Sequence, residues 1–498
     1  MFRYYNHLCF NNPYYYEKAG KFEIHKNFPG MIDRFSGKRK IDPVAVIELL
    51  NKTYILADRT IIQGIQRTPW LAKPNEQSNK WIFDKAPEHG NIDISEAKIA
   101  KTLFQKICSE IELYIGEKKK VGILLSGGMD SRMVAGSLDY LVKTGRLRDL
   151  EITGLTWGNE GTRDVVYAKK IAERLGWNWK HYAVTAKDLL NNITETAING
   201  CEYSPIHLHA IPQIRDDNEV DLQIILAGSY GDSVGRAEYA GKKVRHLKPL
   251  LHNVSNVGNF IYKDIYDNSF KYLSTDIDRY HQQFPKQEEY MQNELDYQLH
   301  YMRRMLNPCM ELLTEKMEFQ QVFTHPDVFG YMWSISPERR NDLVYKNMLN
   351  EFITKLDDIP WARTGLPYGH KEGKPDNYLK AHHSYVKQLQ HILLKEIDKE
   401  TFFKKIEAYG VFNLKAIKIW FKLLKIFPVS NRYFLEKLVW LVSLSEMFSI
   451  YDMTLIKRME NHHNQSNNHL LFLIIFFEYL KTNIPSSIKI FLKRLFRL

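Results

Sequence analysis

The sequence predicts an α/β protein: a parallel sheet with helices on both faces, a small β-containing region ahead of it and a mainly helical part behind. Three observations carry that prediction. Short apolar runs of strand length alternate with helical periods between about residues 94 and 243, the pattern of parallel strands joined by helical crossovers. Two of those runs stop abruptly at glycine-containing loops, SGGMDS and GSYGDSVGR, as strands do when they turn straight into helices. A chain of 498 residues, 44% hydrophobic and 26% charged, can also bury a large core and should form two or more domains.

Residues 1–93 are rich in Tyr, Asn and Pro, with strand-like runs such as KTYILAD and KWIFD, and read as a small β-containing region. Helical periodicity begins in ISEAKIAKTLFQKICSEIELYI, where Ile99, Leu103, Ile107 and Ile111 recur on one face. The strand VGILL, the loop SGGMDS and the helix RMVAGSLDYLVKTG follow, with Gly145 as the helix stop. A second unit reads as strand EITGLTWG, helix DVVYAKKIAERLG and short strand KHYAV, and a third as strand LQIILAG running into SYGDSVGR. From about Lys243 the pattern is mostly helical, with no further clear strand. HHNQSNNH reads as a polar linker; LLFLIIFF behind it is too short to span a bilayer and is expected as a buried helix. The chain therefore divides into 1–93, 94–375 and 376–498, without internal repeats.

Composition narrows the class. Cys9, Cys108, Cys201 and Cys309 are scattered with no CxxC pair, which argues against a disulfide framework or zinc site and for a reducing compartment. The opening MFRYYNHLCF lacks the apolar core of a signal peptide, so the cytoplasm is expected. Of the net charge of +11, most lies in residues 401–498, where 15 Lys and Arg face 6 Asp and Glu. The near-neutral middle speaks against a nucleic-acid channel, and no nucleic-acid partner is expected.

The loop SGGMDS suits a phosphate. Gly127 and Gly128 permit close backbone approach and positive φ, and Ser126 and Ser131 can donate to phosphate oxygens. The loop's N–H groups and the start of the following helix favour an anion. Asp130, itself an anion, makes sense there only through a bridging Mg²⁺, which takes oxygen ligands. The loop has neither the GKS/T ending of a Walker A loop nor the GxGxxG of a dinucleotide fold. GSYGDSVGR repeats the logic at another strand end, with Gly228, Ser229, Gly231 and Asp232. Ligands bind beyond the carboxyl ends of such strands, so Asp130 and Asp232 are expected to clamp one metal–pyrophosphate between them.

SGGMDS resembles the pyrophosphate loop of the ATP-pyrophosphatase superfamily. The order of elements over about 94–369 is similar to the synthetase domain of the asparagine synthetase family, which includes β-lactam synthetases and lasso-peptide cyclases. The resemblance implies an adenine nucleotide α-hydrolase-like fold, ATP and Mg²⁺ as cofactors, and activation of the substrate as an adenylate with release of pyrophosphate. It assigns Ser126, Gly127, Gly128, Asp130 and Ser131 to pyrophosphate and puts Thr156, Trp157 and Gly158, with Leu124 and Leu125, beside adenine. GSYGDSVGR matches the family's second motif in part: Gly228, Gly231 and Asp232 align, while Ser233 stands where the family has Glu. HPDVFGYMWSISPERRNDLVYKNML resembles a family helical segment, with Asp327, Pro337 and Lys346 in register. In a glycine-containing loop after that segment the family carries a Lys that steadies the developing charge. Here the stretch reads IPWARTGLPYGHK, so the catalytic candidates are Arg363 as substitute, Lys346, and Lys371 in reserve.

Family members that make asparagine begin with a catalytic Cys once Met is removed, whereas this chain begins Met-Phe and Cys9 cannot supply an N-terminal amine. No glutaminase activity is therefore expected, and nitrogen would come from free ammonia, an amine substrate or a separate amidotransferase subunit. His207 and His209 form an HxH pair read on a strand, with Glu202 and Asp216 nearby; a substrate-pocket or surface role is favoured over a metal, and His207 is a binding candidate. Glu238 and Tyr239 are read as structural. The tail SSIKIFLKRLFRL reads as a basic amphipathic helix able to lie on the inner face of a membrane, while FNLKAIKIWFKLLKIF is expected to pack on the protein's own core.

Together these features read as an ATP-dependent, AMP-forming amide ligase acting on a carboxylate and an amine or ammonia donor, with a role in bacterial surface-polysaccharide modification. A lasso-type peptide cyclase or another natural-product amide synthetase remains open. So does a non-catalytic nucleotide-binding scaffold, which the missing Glu and displaced Lys keep in view.

Overall fold

The computed structural model describes residues 12–75, 77–380, 384–427, 429, 431–455 and 468–483. Its centre is a five-stranded sheet whose strands are labelled in chain order: β1 (Lys120–Leu124), β2 (Glu151–Trp157), β3 (Asn178–Tyr182), β4 (Ile224–Ala227) and β5 (Glu318–Gln321). The spatial order is β5-β4-β1-β2-β3, and every pairing is parallel. From β1 the chain first runs outward through β2 and β3, then returns to add β4 and β5 on the other side. The strand order thus reverses between β1 and β4, and a crevice opens at such a point beyond the carboxyl ends.

Alternation along β4 fixes the two faces. Ile224 and Leu226 join one apolar core and Ile225 and Ala227 the other. The first core is closed by helices α1 (Glu96–Ile115), α2 (Met129–Lys143) and α3 (Arg163–Leu175). Ile99, Leu103, Ile107 and Ile111 of α1 are all fully buried, as their spacing predicts. The second core is closed by α4 (Ala186–Ile198), by residues of the N-terminal region such as Ile47 and Ile62, and by the C-terminal helices. Helices therefore cover both faces. Short antiparallel strands at Tyr14–Lys18 and Lys21–His25, and at Ala72–Asn75 and Lys80–Phe83, form the N-terminal β structure.

Three sequence expectations are corrected. A strand does occur after Lys243: β5, in register with β4 through Phe319 and Ile225. Its four residues, EFQQ, bury only alternate side chains at the sheet edge, so they carry too little apolar signal to read from sequence. The HxH pair lies on and just after a 3₁₀ turn, Pro205–Leu208, with Pro205 at its first position, and not on a strand. The apolar run near 470 does form a helix, but one that is only half buried. Leu471, Ile475 and Tyr479 face the body, whereas Leu470, Leu473, Ile474 and Phe477 face outward. FNLKAIKIWFKLLKIF packs inward as expected, burying Ile417, Trp420 and Leu424.

Cys108, Cys201 and Cys309 are buried and free. No helix among the described residues is long and apolar enough to cross a membrane. Cys9, most of HHNQSNNH and the SSIKIFLKRLFRL tail lie outside the described residues.

Candidate nucleotide site

Register brings the expected loops to one edge. Leu124 pairs with Leu155 on β2 and with Ala227 on β4, so the segments that follow β1, β2 and β4 emerge side by side. Helix α2 starts at Met129 with Gly128 as its N-cap and no side-chain cap, leaving its first turn to other partners. Gly128 has a φ of −73°, and neither it nor Gly127 adopts positive φ, contrary to the sequence expectation. What both require is room. A Cβ on Gly127 would sit 2.9 Å from the Arg163 carbonyl oxygen, and one on Gly128 2.9 Å from Ser126 Oγ.

Several loop donors are turned inward. Gly127 N–H donates to the Asp164 carbonyl (3.0 Å) and Gly128 N–H to Ser126 Oγ (3.1 Å), while Ser126 N–H donates to Ser131 Oγ (3.2 Å). The two hydroxyls lie 3.1 Å apart. The loop is thus pre-formed by its own serines, and the anion-binding potential moves to the first turn of α2.

The second loop packs directly on the first. A Cβ on Gly228 would stand 2.6 Å from the Asp130 carbonyl, and one on Gly231 2.6 Å from Asp130 Cβ. Between them Tyr230 takes a left-handed φ of 73° and donates from its hydroxyl to the Met302 carbonyl (2.8 Å). A bulky residue held there is strained, and such strain gathers at functional loops. Asp232 opens the short helix α5 (Gly231–Arg236). Burial and the neighbouring charge of Asp130 push its carboxyl up to about 7; burial also raises Asp130, against the pull of Arg236. Asp130 Oδ1 is buried without a hydrogen-bond partner. The glycines therefore bring two carboxylates together at a cost in like-charge repulsion.

Arg236 is the nearest counter-charge. Its side chain is 2% exposed, with Nε 3.8 Å from Asp130 Oδ1 and Nη1 3.4 Å from Asp342 Oδ1 and 3.9 Å from Glu238 Oε2. Its guanidinium stands 5.5 Å from the Trp361 ring and 5.6 Å from that of Tyr345. Tyr345, on helix α7, donates to the Gly231 carbonyl (2.8 Å); here α6 is Pro326–Ser334 and α7 is Asp342–Glu351.

A strap over residues 356–379 crosses the first loop. Ala362 N–H donates to the Gly127 carbonyl (3.1 Å), which places the next residue, Arg363, at the site. Arg363 binds Glu238 (2.5 Å) and lies over Trp361 at 4.6 Å. Lys346 runs beside Gly369 of the same strap, with Cδ 3.1 Å from where a Cβ would be. Lys371 is exposed farther along. The strap is pinned by buried Arg132, whose guanidinium donates to the Ile359 (2.6 Å) and Pro360 (2.8 Å) carbonyls, and by Arg163, which binds Asp376 (3.2 Å).

On the other side of β1, Thr156 spends its hydroxyl on the Leu125 carbonyl (2.8 Å) and accepts from Trp179 Nε1 (3.0 Å). Trp157 is partly exposed and stacks on His209 at 5.8 Å, while Gly158, at φ 132°, accepts from His181 Nε2 (2.9 Å). Ser229 Oγ donates to Met310 Sδ (3.3 Å). The two histidines of HxH diverge: His207 pairs with Glu436 (3.3 Å) in the C-terminal core, and only His209 reaches the Trp157 side. Glu202 is buried between Arg67 and Arg304, and Asp216 pairs with Arg215 and Lys316. Tyr239 turns away toward Glu294 (3.4 Å), whereas Glu238 faces the arginines.

Sequence reasoning did not assign Arg132, Arg236, Tyr345 or Trp361. Arg236 ends the motif GSYGDSVGR, and its local signal is a lone arginine among glycine and apolar neighbours. A buried arginine needs paired or carbonyl partners, which marks it as part of a built site.

The asparagine synthase family model matches residues 115–400, more than half of the chain, and the protein belongs to that family. At the level of the family, membership supports ATP-dependent amide ligation. Among solved structures, the chain is similar to a U34-tRNA thiolase, NcsA from Methanococcus maripaludis, with its [4Fe-4S] cluster; identity is 13%, coverage is 67% of this chain and 82% of that one, and the TM-score is 0.24. No curated protein sequence matches the chain.

Proposed function

We propose that the protein joins a carboxylate to an amine or ammonia through an acyl-adenylate, forming AMP and pyrophosphate from ATP. The observation that carries this reading is the enforced approach of Asp130 and Asp232, set by Gly228 and Gly231 at the strand-order reversal. The residues suit Mg²⁺: two carboxylates, one with an orphaned buried oxygen, form a hard oxygen donor set. When bound there, the cation would neutralise phosphate charge and let two anions share the site.

The chain's own groups then have distinct tasks. The start of α2, with Ser126 and Ser131, would receive the pyrophosphate oxygens, and Trp157 with Leu124 would flank adenine. A carboxylate oxygen of the substrate attacks the α-phosphorus, the bond to the β-phosphate oxygen breaks, and pyrophosphate leaves. Arg236 beside Asp130 and Arg363 beside Glu238 would then meet the negative charge that grows on that leaving group, and fixed cations in a partly dry site are among the strongest contributions a protein makes to such a step. Attack of the amine on the acyl carbon then expels AMP. Lys346, beside Gly369 of the strap, would add a further positive charge for the phosphates. A carboxylated sugar of a surface glycan is the substrate class we favour, with ammonia or an amine supplied from outside the site.

Product analysis tests the reading. With a competent acid and ammonium, ATP should yield AMP and pyrophosphate in equal amounts, and Asp232→Asn should abolish both. Formation of ADP and phosphate instead would overturn it.

A further inference from the structure

The C-terminal helices carry a surface that the nucleotide site does not use. Helix α8 (Leu414–Ile426) buries one face and exposes Lys415, Lys418, Lys422 and Lys425 on the other, with no acidic residue along its length. At its end the exposed face turns apolar, with Ile426 67% exposed and Phe427 next to it. With α9 as Tyr433–Ile450, the last described helix is α10 (Asn468–Asn483). It packs on α8 through Tyr479 and Trp420 (5.7 Å) and through Phe476 and Phe427 (5.8 Å). Its outer side shows Leu470, Leu473, Ile474 and Phe477 to solvent, Phe477 at 65%. The Phe427–Phe476 contact sets the end of α8 against α10, so the apolar outer side of α10 and the row of four lysines belong to neighbouring helices.

We propose that this surface docks on an anionic lipid bilayer. Exposed apolar side chains in this number mark an interaction site. Lysines beside them can lay their stems along apolar surface and place their charges at lipid headgroups. The one acid near the patch on α10, Glu478, is turned toward the body, where it accepts from Gly258 N–H (3.2 Å). No helix among the described residues is long and apolar enough to cross a membrane, and the contact proposed is lateral. Charge decides among occupants. A two-fold pair of copies would set one lysine row against its own kind. The sequence beyond Asn483 adds Lys489, Lys493, Arg494 and Arg497 and no acid, so it too repels the row while reinforcing attraction to anionic lipid. This inference is independent of the chemistry assigned to the nucleotide loops.

Co-sedimentation of the full chain with phosphatidylcholine vesicles, with and without phosphatidylglycerol, tests it. Binding should require phosphatidylglycerol and weaken as salt rises. It should fall about tenfold or more in Lys418→Glu/Lys422→Glu and in Leu473→Glu/Phe477→Glu, each an exposed change that leaves the thermal melt in place. Equal binding to neutral vesicles would overturn the proposal. So would binding that ignores both double variants and disappears only when 484–498 is removed, because the anchor would then be that segment alone. Loss of a dimer in the apolar variant, with no vesicle binding by the wild type, would assign the patch to a second copy instead.

Discussion

Asp130 is where residue-scale reasoning concentrates. It carries a charge that its surroundings disfavour, through burial first and then through Glu238, and it is held there by two glycines with no space for a methyl group. Gly231→Ala must therefore push Asp130 aside. The expected outcome is a stability loss of about 1–3 kcal/mol by denaturant titration, together with a larger drop in ATP affinity by calorimetry. Arg236→Met should lower turnover about 100-fold or more at saturating ATP, since the cation nearest the carboxylate pair would be gone. Unchanged turnover would move that duty to Arg363. The aspartates and serines were legible in the sequence because their types match phosphate and metal chemistry. Arg236 was not: what it does depends on Trp361, Tyr345 and Asp342, all more than a hundred residues away, and no local pattern encodes that meeting.

Among the elements, the strap over 356–379 gives the clearest division between what sequence shows and what it hides. Arg363 was singled out there because the stretch resembles the glycine-containing loop in which the family carries a Lys. The strap's position over the first loop rests on Arg132, a residue in the middle of an otherwise apolar helix face that donates to strap carbonyls. Arg132→Met leaves those carbonyls without their buried donor, at about 1–3 kcal/mol for each group left unsatisfied. Limited proteolysis should then cut near Ile359 in the variant and not in the wild type. Long helices and buried strands were legible because their periodicity is strong, as in α1. The edge strand β5 was not, because one buried Phe319 and a glutamine do not make a period.

For the whole molecule, part of the stability rests on buried ion clusters. Glu294 is fully buried and accepts from both Nη atoms of Arg340 (2.8 Å each) and from His89 Nε2 (2.7 Å). Burial alone would raise its carboxyl, yet Arg340 and His89 hold it down at about 2. Since the unfolded value is about 4.3, its contribution to stability is complete above that pH and is lost as pH falls toward 2. Glu294→Gln should cost about 3–5 kcal/mol near neutral pH by leaving Arg340 uncompensated, and should flatten the acid limb of the stability curve. The fold class was legible at this scale, because alternating strands and helices leave few topologies open. That the C-terminal helices and the N-terminal region close the second face of the same sheet was not, because it depends on contacts between the two ends of the chain.

The central claim is that Asp130 and Asp232 hold a metal–pyrophosphate for adenylation of a carboxylate. Exchange of labelled pyrophosphate into ATP tests it most directly, run with Mg²⁺ across uronic acids, acidic peptides and amino acids on wild type and Asp130→Asn. The account predicts exchange that depends on one class of acid, needs Mg²⁺ and vanishes in the variant. Exchange that persists undiminished in Asp130→Asn would contradict it.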